Sequence, residues 1–196
     1  MNLSPEARSR LLTRGRRLEV ATLAWNIVGI GVLAASAVAA RSVALAGFGL
    51  DSLIEIGAST VVLWELGDVA ERRRKGAMRL IGTAFAVLAA YLIAQSTLVL
   101  ALGFHAHHSR VGIIWTGATA LAMFLLALGK ARTGAALENP VLRTEGRVTL
   151  VDGVLASAVL LGLVLNAAAG LWWADPAAAY VLVYYGAREA YTALAR

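Results

Sequence analysis

The chain has 196 residues, 59% hydrophobic and only 15% charged, with a mean hydropathy of +0.71, against roughly 45–50% apolar and about 25% charged in an ordinary soluble domain. So much apolar surface exceeds what one compact core hides from water, which excludes a soluble globule, a disordered chain, a coiled coil and a secreted mini-protein. There is no cysteine, so disulfides, thiolate metal sites and cysteine nucleophiles are excluded too, and any metal must be held by oxygen or imidazole. The net charge of +6 comes from basic residues lying between apolar runs, a pattern that sets membrane topology; no nucleic-acid partner is expected.

A hydrocarbon layer about 30 Å thick takes roughly 20 helical residues to cross, and six stretches qualify: 18–40, 43–66, 80–102, 111–131, 148–171 and 177–194. They predict an all-α fold, a six-transmembrane-helix bundle over 18–196, preceded by a basic cytoplasmic segment over 1–17. The sixth stretch carries Arg188 and Glu189, which are expected near the interface or snorkelling towards it. All but Arg41 and Arg110 of the 18 Lys and Arg residues fall on one side of this arrangement, so both termini are expected in the cytoplasm and the protein in the cell membrane as a multi-pass chain. Trp172 and Trp173 mark the outer boundary and Trp64 the inner one. The first apolar run ends in small residues over 34–40, as before a signal-peptidase site, but it exceeds the usual 7–15-residue apolar core of a signal peptide and is expected to stay uncleaved. Residues 134–140 form a turn-rich connection.

Acids inside apolar helices carry most of the information, because each costs on the order of 2.5–3.5 kcal/mol at mid-bilayer. Asp51 and Glu55, spaced i, i+4, share one face of the second span, and no basic residue is expected at their depth. Gly47, Gly49 and Gly57 flank them and leave room for a neighbouring helix. In the fifth span Glu145, Thr149 and Asp152 recur at i, i+4, i+7 along one face. If that face opposes Asp51 and Glu55, three carboxylates converge, and a divalent cation held by oxygens is the natural occupant. Assembly by helix–helix hydrogen bonding is the plainer alternative for each acid.

These residues resemble the cation diffusion facilitator family of divalent-metal transporters. Ser42-Val-Ala-Leu-Ala-Gly-Phe-Gly-Leu-Asp51-Ser-Leu-Ile-Glu55 is similar to the family's second helix, Leu142-Arg-Thr-Glu145 followed by Asp152 to its fifth, and Trp173-Ala-Asp175-Pro176 to the start of its sixth. The resemblance implies a transport site between helices two and five with Asp51, Glu55 and Asp152 as metal ligands, and Glu145 and Thr149 as subsidiary ones. Val148 stands where the family's zinc-type fifth helix carries His or Asp, the connection between helices two and three offers Asp68, Glu71 and an Arg-Arg-Arg-Lys run over 72–75 in place of a His-rich loop, and the chain is expected to represent a short, membrane-domain-only branch. Zinc is the family default; with three carboxylates and no imidazole, a tetrahedral zinc would need water or Thr149, and Mn²⁺, Fe²⁺ or Co²⁺ suit such a site.

The expected activity is therefore efflux of a divalent metal ion by proton antiport, from a homodimer embedded in the lipid bilayer. A non-transporting regulatory protein on a transporter fold is the alternative, and an intramembrane aspartyl protease pairing Asp51 with Asp152 a remote one. No HExxH or GxSxG motif occurs, and no enzyme activity is expected. His105, His107 and His108 are expected to form an ordinary outer loop, and Asn26 and Gln95 to serve as interhelical hydrogen-bond partners.

Overall fold

The computed structural model describes residues 4–65 and 71–194, with the side chains of all of these except 58–65, 71–78, 140 and 141. Asp68 and Arg196 lie outside the described residues, and Trp64, Glu71 and the 72–75 run outside those with described side chains. The described chain is all-α: α1 (Pro5–Ala40), α2 (Val43–Glu65), α3 (Glu71–Leu102), α4 (Arg110–Ala136), α5 (Pro140–Ala169) and α6 (Ala174–Leu194).

Local chemistry sets the boundaries. Ser4, Ser109 and Asn139 each accept a hydrogen bond from a first-turn amide of α1, α4 and α5, through Ala7 at 3.2 Å, Gly112 at 2.9 Å and Leu142 at 3.1 Å. Pro5 and Pro140 follow two of these caps, where the missing N–H costs nothing. Gly170 ends α5 at φ 65°, a left-handed conformation that a side chain disfavours. Four helices run past the stretches read from hydropathy, all at the basic end: α1 begins at Pro5, α3 at Glu71 and α5 at Pro140, and α4 continues to Ala136. The basic segment is thus helical from Pro5 onward, and the turn expected over 134–140 is confined to 137–139. At about 1.5 Å per residue, the 36 residues of α1 reach roughly 54 Å, well beyond a hydrocarbon layer of about 30 Å. Helix termini do not need to coincide with the membrane boundary, because a helix satisfies its own backbone in either solvent.

Consecutive helices alternate in direction, which gathers the connections at two ends. At one, the His107 amide donates to the Ala40 carbonyl at 2.7 Å and Asn166 Nδ2 donates to the Ala106 carbonyl at 3.0 Å. At the other, the early turns of α1 meet α5 through Gly15 and Leu142, and the early turns of α3 meet the end of α6 through Gly82, Ala193 and Leu194.

Burial is inverted relative to a soluble protein. Val38, Leu80, Ile114 and Tyr191 are exposed, while Asn26, Asp51, Lys130, Thr149, Asp152 and Asp175 are buried. An apolar exterior on this scale is stable only where the solvent is itself apolar. Among the described residues, four helices are long and apolar enough to cross a membrane, over Pro5–Ala40, Arg79–Leu102, Arg110–Ala136 and Leu142–Ala169. The chain therefore has the makeup of a membrane protein.

Close approach at two places positions the interior. A Cβ on Gly47 would lie 2.7 Å from Leu92, so α2 sits tightly on α3 and α6; Gly49 faces Leu33 of α1, whereas Gly57 has open space beside it. A Cβ on Gly146 would lie 3.1 Å from the Ala131 amide nitrogen, so α4 and α5 approach almost backbone to backbone. The start of α6 is tied to the start of α2: Asp175, 1% exposed, accepts hydrogen bonds from the Ser42 hydroxyl and from the Val43 amide, the latter at 3.0 Å. Ser42 in turn accepts from the Leu45 amide at 3.1 Å, so one carboxylate fixes a helix N-terminus and its cap together. Asp175→Ala is expected to lower stability in micelles by about 1–3 kcal/mol, the cost of stranding buried donors, as a fall in the thermal unfolding midpoint; Asp175→Asn should lose less.

Candidate functional site

The acids of α2 and α5 meet inside the bundle. Asp51 and Asp152 are each 6% exposed, and Glu55 is half-buried one turn along α2 from Asp51. Counting from Val43 at about 1.5 Å per residue, Glu55 lies roughly 18 Å along its helix, about midway down α2. The carboxyl groups of Glu55 and Asp152 lie close enough to act directly on one another. A hydrogen bond between them would require a proton, since an ionised carboxylate only accepts.

Other elements close the group. Asn26 of α1, buried on the face that carries Gly29 and Leu33, donates from Nδ2 to Glu55 Oε2 at 3.3 Å. Glu189 of α6, half-buried, adds a charge felt by both Asp51 and Asp152, whereas its neighbour Arg188 is exposed. Glu189 thus contributes to the electrostatic field at the acids. Its position three residues beyond the buried Gly186 and one before the buried Ala190 is the sequence signal for that placement.

Three acids around one ion are not what the structure presents. Among the described residues, no group of three or more His, Asp or Glu side chains is arranged to hold a metal ion. Glu55 is engaged sideways by Asn26 and Asp152, and Asp51 stands one turn away.

Glu145 and Thr149 belong to a second cluster built on Lys130. Sequence placed Lys130 in a cytoplasmic connection, but α4 continues through it and buries it to 1% exposure. Its ammonium donates to Glu19 Oε2 of α1 at 2.9 Å and to the Thr149 hydroxyl at 3.1 Å, and lies 4.0 Å from Glu145 Oε2. Thr149 passes its own proton to the Glu145 carbonyl at 2.9 Å. Glu19 Oε1 is buried without a hydrogen-bond partner. Lys130 also acts electrostatically on Asp152. The sequence signal was present in the i, i+3 run of Ala127, Lys130 and Thr133, all on the buried face of α4.

Asp152, Thr149 and Glu145 therefore link two polar clusters stacked along one face of α5. Val148 is turned away from both and is 40% exposed, so the inward position in that turn belongs to Thr149. In the loop between α3 and α4 the His105 ring stacks on Trp172 with centroids 5.0 Å apart, and all three histidines are exposed. Compared with known proteins, the sequence matches no family model and no curated protein.

Proposed function

We propose that this chain is a six-span transporter of the cell membrane, both termini cytoplasmic, that exports a divalent metal ion as a homodimer in exchange for protons. The observation that carries this reading is the close approach of the Glu55 and Asp152 carboxyl groups, which belong to separate helices inside an apolar bundle. Carboxylates there are costly, and a close pair able to hold a proton is suited to exchanging it for a cation.

In the proposed cycle a metal ion arriving from the cytoplasm displaces the proton between Glu55 and Asp152. Asp51, one turn along α2, joins as the third oxygen ligand after a small shift of α2 against α5. Rocking of the helices then exposes the ion outward, where a proton returns to the Glu55 and Asp152 pair and releases it. Asn26 orients Glu55, as a hydrogen-bonded neighbour orients a metal ligand, and Glu189 adds negative charge. The resemblance of the α2 and α5 motifs to cation diffusion facilitators agrees with this assignment. An oxygen-only set suits Mn²⁺, Fe²⁺ or Co²⁺ as well as Zn²⁺.

Purified protein in liposomes is expected to move Mn²⁺, Co²⁺ or Zn²⁺ at a rate set by an imposed pH gradient. Flux that is absent for every one of these ions, in protein that remains monodisperse, overturns the proposal.

A further inference from the structure

The second polar cluster is built like a cation site and already holds a cation. Three helices converge on it: Glu19 from α1, Lys130 from α4, and Thr149 with Glu145 from α5. The ammonium is 1% exposed, and its oxygen neighbours stand at 2.9, 3.1 and 4.0 Å. Around it are two carboxylates and one hydroxyl, with the Asp152 charge beyond Glu145. One further oxygen, Glu19 Oε1, is buried there with no hydrogen bond, so the donors present do not use up the acceptors.

We propose that the oxygens of Glu19, Thr149 and Glu145 form a second cation site, which Lys130 fills with its own ammonium and so keeps closed to free divalent ions. The charge balance supports this. Two carboxylates with one ammonium leave a single negative charge, insufficient to neutralise a divalent ion; without the ammonium the deficit is two, matched to such an ion. Carboxylate and hydroxyl oxygens suit a hard or intermediate divalent cation. A side chain seated on the site adds no translational cost of capture, so it excludes a free ion that the oxygens would otherwise hold. The consequence that Asp51, Glu55 and Asp152 remain the place for the moving ion rests on the transport reading; the cation-binding property of the Lys130 cluster does not.

The test is a count of Mn²⁺ bound at equilibrium to the full chain in detergent micelles. Lys130→Ala is expected to bind one more Mn²⁺ per chain than the parent. That gain should survive in Lys130→Ala/Asp152→Asn, vanish in Glu19→Gln/Lys130→Ala, and be absent from Lys130→Arg, which keeps the charge. Lys130→Ser is the second variant, and Mn²⁺ should raise its thermal midpoint by about 5 °C or more beyond any rise in the parent. Recovery of Lys130→Ala or Lys130→Ser as folded protein only when Mn²⁺ is supplied would also support the site. No added Mn²⁺ in either variant, or failure of both to fold with and without Mn²⁺, overturns it. If Lys130→Ala binds one ion and the parent binds none, the second site stands and the carboxylate transport site falls.

Discussion

Asp152→Asn is expected to cut pH-gradient-driven Mn²⁺ flux by about two orders of magnitude or more, the upper end of what losing a partner at a metal site costs. The substitution keeps size and shape, and its amide can donate to the neighbouring Glu55 carboxylate, so packing between α2 and α5 is retained. What it removes is the capacity to release a proton and take up a positive charge. Asp51→Asn should give the same loss, because the proposed third oxygen ligand comes from that side chain. Val148→Ala is the contrasting case: the residue is four positions from Asp152 in sequence, yet its side chain is exposed, and flux should stay within about twofold of the parent, as for a surface change away from the site. Flux sustained in Asp152→Asn would remove Glu55 and Asp152 from the ion path. A strong loss in Val148→Ala would mean that the outward face of α5 takes part in transport.

Apolar run length and charge placement were enough to read the helices, because a backbone in hydrocarbon has few alternatives to satisfying itself as helix. They did not define the helix ends. Hydropathy falls where charges begin, at Arg17, Arg79 and Lys130, but capping and tertiary packing carry α1 and α4 past those points, and α3 likewise begins earlier, at Glu71. Lys130 is the sharpest case. Read one residue at a time it is a cytoplasmic charge; read on the face of α4 that also carries Ala127 and Thr133 it is interior. Glu19 was obscured in the same way, lying one position inside the first apolar stretch with its partner on a different helix. The pairing of Glu55 with Asp152 was legible as two acidic faces that need company. The Asn26 contact and the approach of Glu189 depend on how α1 and α6 rotate against α2, which periodicity within a single helix does not specify.

Glu19→Leu is expected to destabilise the protein by about 3 kcal/mol, the lower end of the cost of breaking a buried ion pair from one side, measured by reversible unfolding in mixed micelles. The cost arises at Lys130, whose ammonium is 1% exposed and loses its 2.9 Å partner. Thr149 and the more distant Glu145 remain, which is why the loss falls at the lower end. Adding Lys130→Met should recover most of the stability, since an apolar side chain of similar length fills the same space and no ammonium has to be desolvated. The recovery stays incomplete because Glu145, with its Oε2 at 4.0 Å from that nitrogen, then lacks the charge beside it. The two substitutions must therefore be strongly non-additive, with the double variant more stable than Glu19→Leu alone. If their effects instead sum, the ammonium draws nothing from Glu19, and α1 is held to α4 and α5 by apolar packing such as Leu18 against Gly129.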